Sequence, residues 1–241
     1  MNDEADFRFE SDARYAVLTL RAPVAESLRD GLARLAALTD VRTLLLVLSA
    51  ETLAAPGPAA QALPDALDRD CHPLVLQLRA LPYPVICAVG GYATGLAAGI
   101  ALACDVVVAT HRAAFNFSFR EGTTLPGCGS TWLLPRMVGM TRALGMLLLR
   151  DKLTADEAER YGLIWACVAD DRLLDEGHGI ARYFASQPSR ALAAVKRALQ
   201  AAADNDFDAQ LHLEAAMHRE LANDRQPATA DRPRDGAGGR P

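Results

Sequence analysis

The residues best placed to do chemistry stand between Pro84 and Ala109, in the run PVICAVGGYATGLAAGIALACDVVVA. Gly90 and Gly91 follow an apolar run of strand length, and a turn of small residues then opens an Ala-rich helix. Glycine lets a ligand approach the backbone closely. The first N–H groups of a helix have no intrahelical partner and can face a negative or developing negative charge. The segment reads as an anion or oxyanion site, although the same glycines would also serve a tight strand-to-helix connection built for packing alone. Metal chemistry finds less support. Cys71, Cys87, Cys104, Cys128 and Cys167 show no C-x-x-C spacing and mostly sit in apolar runs, so they read as reduced core thiols, with no metal and no cofactor required. His72, His111 and His178 stand in no motif.

The elements that must position these residues follow from the apolar periodicity. FRFE and RYAVLTLRA, separated by Ser11-Asp12-Ala13, predict a hairpin within 7–22. Leu28, Leu32, Leu35 and Leu38 share one face of a helix over 24–38. VRTLLLVLSA (41–50), VICAV (85–89) and VVVA (106–109) read as strands buried on both faces. The stretch ETLAAPGPAAQALPDALDRDCH between the first two is too long for a simple turn and reads as a functional loop. A helix over 74–81 ends at Pro82 and Pro84. Strands alternating with helices make a crossover α/β sheet. Beyond Thr131 the pattern is helical, over 131–149, 154–161, 171–186, 189–203 and 206–223, with one short strand near 163–168. The expected organisation is an α/β core over 1–130, a helical region over 131–223 and a disordered tail over 224–241, where Pro, Gly and Arg dominate.

With these elements in place, three stretches resemble the crotonase (enoyl-CoA hydratase/isomerase) superfamily: PVICAVGGYATGLAAGIALACD, AFNFSFREGTTLPGCGST and LTADEAERYGLI. The resemblance runs over about residues 10 to 223. It implies a β-β-α spiral core with a helical C-terminal trimerisation region, an acyl thioester on a pantetheine arm, and trimeric disks. It also implies an oxyanion hole of two backbone N–H groups, which by position fall at Ala59 and Leu96. Each such donor is worth about 3 kcal/mol in comparable sites.

The departures from the family pattern carry more information than the match. Hydratases of the family add water with two glutamates; the first position reads Gly99 here and the second Phe119. Neither can transfer a proton. The nearest acid is Glu121, in the run FREG with Arg120 beside it and Gly122 after it. A decarboxylating subgroup, which serves polyketide β-branching, lacks both glutamates. Its 3-methylglutaconyl-type substrate, carried on an acyl carrier protein, brings its own carboxylate, which enzyme carboxylates would repel. NFSF and PGCGST are similar to that subgroup, as is LEAAMHREL near the C-terminus, where the resemblance makes His218, four residues after Glu214, the proton donor or carboxylate-orienting group. The subgroup's usual lysine after the first oxyanion donor is Gln61 here, with Arg69, Arg79 and Arg120 as candidate replacements.

The expected function is therefore an acyl-thioester decarboxylase, with His218, Ala59 and Leu96 catalytic and Gln61, Gly99, Phe119 and Gly122 around the substrate. A noncatalytic thioester-binding protein, and an isomerase or dehydratase using Glu121, are the rivals. The expected partners are an acyl carrier protein or coenzyme A thioester and further copies of the chain, as a trimer or hexamer. The chain has 241 residues and a net charge of −5, and only Lys152 and Lys196 among its 25 basic residues are lysine. An acidic chain without a basic run disfavours nucleic acid. The acidic start and the lack of a long apolar run predict a cytoplasmic protein outside the membrane.

Overall fold

Short apolar runs, too hydrophobic to leave a face in water, become the strands of the larger of two sheets. The computed structural model describes residues 7–10, 13–49, 63–117, 125–149 and 152–223. It divides into two compact units, 1–192 and 193–241.

The first unit opens with β1 (Phe7–Glu10) and β2 (Tyr15–Leu20), the expected antiparallel hairpin. Helix α1 (Val24–Ala36) leads to β3 (Thr43–Leu48). It buries Leu28, Leu32 and Leu35 as its spacing predicts, each worth about 1.5–3 kcal/mol. A helical stretch follows: α2 (Leu63–Ala66), a π-helical turn (Leu67–Cys71) and α3 (His72–Ala80). The second half of the expected long loop is thus helical, because Pro64 falls in a first turn, where its missing N–H costs nothing. Next come β4 (Val85–Val89), β5 (Tyr92–Thr94), α4 (Leu96–Ala103), β6 (Val106–Thr110) and β7 (Ala114–Asn116).

Two helices, α5 (Ser130–Val138) and α6 (Met140–Leu148), replace the single one expected over 131–149. Gly139, at φ 83°, takes the positive-φ backbone that ends α5. The unit continues through β8 (Leu153–Thr154), α7 (Ala155–Arg160), β9 (Ala166–Val168) and α8 (Leu173–Ser186).

Strands β1-β2-β3-β4-β6-β9 form the large sheet in that order, parallel except at the β1–β2 edge. Every residue of β3 and β4 is buried. Alternate residues feed two cores: Leu44, Leu46, Val85 and Cys87 pack with residues of α1, α3 and α4, while Leu45, Val47, Ile86 and Ala88 pack with Leu173, Ala181 and Ala185 of α8. A second sheet, β5-β7-β8, stands beside the start of α4. Its strands have three, three and two residues, below the length at which periodicity speaks.

Helix α9 (Ser189–Ala201) crosses into the second unit, which also holds α10 (Phe207–Asn223). Asp206 Oδ1 accepts from the Ala209 N–H at 2.8 Å, capping α10. The Gln210 amide donates to Ala198 O at 3.1 Å, tying the two helices. No helix among the described residues is long and apolar enough to cross a membrane. The tail over 224–241 lies outside the described residues.

Candidate active site

The expected oxyanion turn begins at Gly95, whose φ of 53° and ψ of −118° suit only glycine. Its N–H donates to Asn116 O at 3.1 Å, so β7 holds the turn in place. The first helical bond of α4 closes from the Gly99 N–H to Gly95 O at 3.0 Å. The N–H groups of Leu96, Ala97 and Ala98 come before it and have no intrahelical acceptor. No side chain among the described residues caps this end. The Leu96 side chain is half-buried and packs against the core.

Gly99 lies one turn further along the helix, and its lack of a side chain is a packing requirement. A Cβ there would overlap Cys128 Cβ and lie 3.2 Å from Cys128 Sγ. Cys128 is fixed by the turn before α5. It takes φ 53° and Gly129 φ 77°, while the Ser130 hydroxyl donates to Gly127 O at 2.7 Å. A glutamate at position 99 therefore has no room, which adds a steric reason to the chemical one against two-glutamate hydration. Cys128 also meets Cys71 in a small cluster with Val75 and Ala103. The hydrogen bond to Cys71, and then burial, push the Cys128 thiol far above its ordinary range, while the same bond lowers Cys71. At neutral pH Cys128 is a thiol and not a nucleophile.

Cys128 also walls a cavity of about 430 Å³ that His72, Val75, Arg79, Trp132 and Leu133 complete. Arg136 stacks over the Trp132 ring at 4.0 Å, and the Arg79 guanidinium lies 5.7 Å from it. Sequence reasoning proposed no site role for His72, Cys128 or Trp132. The usable signal was the helical spacing of 72, 75 and 79, which puts the three on one face of α3. Of the arginines offered as replacements for lysine, Arg69 is held by Asp70 at 2.9 Å on the surface. Arg79 lines the cavity.

The structure thus brings Leu96, Gly99 and the PGCG turn together. Ala59, Gln61, Phe119, Glu121 and Gly122, as well as Arg120, lie outside the described residues. His218 is exposed on α10, in the second unit, with Glu214 also exposed one turn before it.

Comparison with known proteins adds a family. The model of the family described as enoyl-CoA hydratase/isomerase matches residues 52–229. The chain is 43% identical over 163 residues to a protein of Escherichia coli (strain K12) named 1,2-epoxyphenylacetyl-CoA isomerase, a match that spans 68% of this chain and 62% of that one. It is 44% identical over 155 residues to a Rhodobacter capsulatus protein named probable enoyl-CoA hydratase, across 64% of this chain and 60% of the other. The chain thus spans under two thirds of the length of these two relatives. A crystal structure of enoyl-CoA hydratase from Bacillus anthracis superposes with a TM-score of 0.74 at 24% identity, covering 87% of this chain and 86% of that one, a likeness of fold.

Proposed function

The chain belongs to the enoyl-CoA hydratase/isomerase family, and from that premise we propose that it isomerises an acyl-coenzyme A thioester through an enolate. The carrying observation is the start of α4. Its N–H groups stand uncapped by any described side chain, and the position where a hydratase glutamate would stand is a glycine closed off by Cys128. Leu96 N–H, with Ala59 N–H as the second donor, would hold the thioester oxygen as charge moves onto it. Glu121 would carry the proton between carbon positions, and the apolar cavity beside Trp132 would take the acyl group. Gln61, Phe119 and Gly122 would contact the substrate by their positions in the family pattern. One relative is named an isomerase, which agrees with this choice.

A second reading, decarboxylation, has its own support. Arg79 puts a cation on the cavity wall, which suits a substrate that carries a carboxylate, such as a 3-methylglutaconyl thioester on an acyl carrier protein. Loss of CO2 leaves a dienolate for the same oxyanion donors, and His218 would then orient the carboxylate or protonate the product.

One set of assays separates the two. A 3-enoyl-coenzyme A should shift its double bond into conjugation, while crotonyl-coenzyme A should gain no water. Leu96→Pro, which deletes the donor N–H, should abolish turnover, and Leu96→Gly should keep it. Glu121→Gln should slow the shift by about a hundredfold or more. CO2 release from the methylglutaconyl thioester that survives Glu121→Gln but falls in His218→Ala would move the assignment to decarboxylation. Fast crotonyl hydration would overturn both.

A further inference from the structure

Three side chains of different chemistry converge on one point at the β6–β9 edge of the large sheet. His111 follows the last residue of β6, Asp156 lies in the first turn of α7, and Cys167 is the middle residue of β9. His111 Nδ1 stands 2.9 Å from Asp156 Oδ1 and 3.2 Å from Cys167 Sγ. One ligand atom from each of the three lies within 4.8 Å of the other two.

We propose that His111, Asp156 and Cys167 form a zinc-class transition-metal site that ties the β6–β9 edge of the large sheet to α7. An imidazole nitrogen, a carboxylate oxygen and a thiolate are the three donor types that zinc takes. Bonds of about 2.0–2.3 Å in tetrahedral geometry put neighbouring donors roughly 3.3–3.7 Å apart. The His111–Asp156 and His111–Cys167 spacings need to open by only a few tenths of an ångström, through side-chain rotation, and the Asp156 and Cys167 ligand atoms lie within 4.8 Å of each other. Magnesium and calcium are the wrong class, since both want oxygen donors throughout.

The backbone beneath each donor is already fixed. The His111 N–H donates to Val168 O at 3.1 Å, and Cys167 sits in register with Ala109 of β6. Helix α7 starts from a capping box between Thr154 and Glu157, which sets where Asp156 stands. Little conformational freedom is left to lose on binding. The carboxylates of Asp156 and Glu159 both stand close enough to Cys167 to interact with it. His111 and Asp156 are exposed, so an ion from solvent can reach the cluster. The sequence hides this set, because its members are 45 and 56 residues apart.

The test uses the full chain without an affinity tag, reduced, stripped by a chelator and titrated with Co2+. One equivalent should produce visible d–d bands of tetrahedral intensity together with a near-ultraviolet thiolate-to-cobalt band, and Zn2+ should bleach both. Cys167→Ser should lose the near-ultraviolet band. His111→Ala and Asp156→Ala should each weaken binding by more than the roughly tenfold that loss of an outer-shell partner costs. His212→Ala, on an exposed helix elsewhere, should bind as the parent does. Zn2+ should also raise the melting temperature of the parent and leave that of His111→Ala unchanged. The variants change side chains at the protein surface or in a short edge strand, and circular dichroism checks that each folds. Absence of saturable binding at micromolar metal overturns the proposal, as does a cobalt spectrum that Cys167→Ser leaves intact.

Discussion

Gly99 carries two arguments against a proton-transferring side chain at its position. The chemical argument says that glycine cannot move a proton; the steric one says that a larger side chain cannot enter, because Cys128 occupies the space. Cys128 cannot step aside cheaply, since the atom in the way is its Cβ and its backbone sits at φ 53°. Gly99→Ala should therefore cost about 1–3 kcal/mol by overpacking. For a chain of this size that is a fall of roughly 2–12 °C in melting temperature. Gly99→Ala combined with Cys128→Gly should recover most of the loss, because the second change empties the space and relieves a left-handed non-glycine residue. An unchanged melting temperature in Gly99→Ala would show that the turn before α5 yields, and would remove the steric half of the argument against hydration.

Between elements, the packing of α8 on the sheet carries a titratable group. His178 of α8 meets Tyr15 of β2, the tyrosine hydroxyl and His178 Nδ1 lying 3.0 Å apart. Burial first, then Arg8 and Arg182, lower the His178 pKa below its ordinary value of 6.5. The unfolded chain then takes up the proton before the folded one does. The contribution of His178 is complete above about pH 6.5 and is lost as the pH falls toward its lower folded value. Melting temperatures between pH 7.5 and 5.0 should fall more steeply for the parent than for His178→Gln, which has no charge to gain. Parallel profiles would mean that the α8–β2 contact tolerates the imidazolium.

At the scale of the whole molecule, several large apolar side chains among the described residues stand exposed. In the first unit Leu148, Leu149 and Trp165 are 75%, 84% and 70% exposed, and in the second Leu199 and Phe207 are 71% and 79% exposed. Scattered single cases are ordinary, but Leu148 and Leu149 adjoin one another at the end of α6, with Leu144 of the same helix also exposed. We propose that copies of the chain cover these residues in a trimer or a dimer of trimers. Light scattering on the eluting protein should give three or six times the 25.8 kDa chain mass. A monomer at micromolar concentration would refute the assembly, with no bearing on the oxyanion donors.

The sequence by itself determined what short-range chemistry decides. Apolar runs of strand length marked β3, β4 and β6, with Pro84 and Gly90 bounding β4, and the leucine spacing marked α1. The small residues after Gly90 and Gly91 placed α4, and a glycine at position 99 left no proton-transferring side chain there. Only the tertiary structure decided what lies opposite these residues. Strands of two and three residues carry no usable period, so the β5-β7-β8 sheet emerges only from pairing. The closure of Gly99 by Cys128, the cavity between α3 and α5, and the convergence of His111, Asp156 and Cys167 join residues that no local pattern links. Sheet register and helix docking set those distances, and they act through contacts dozens of residues apart in the chain.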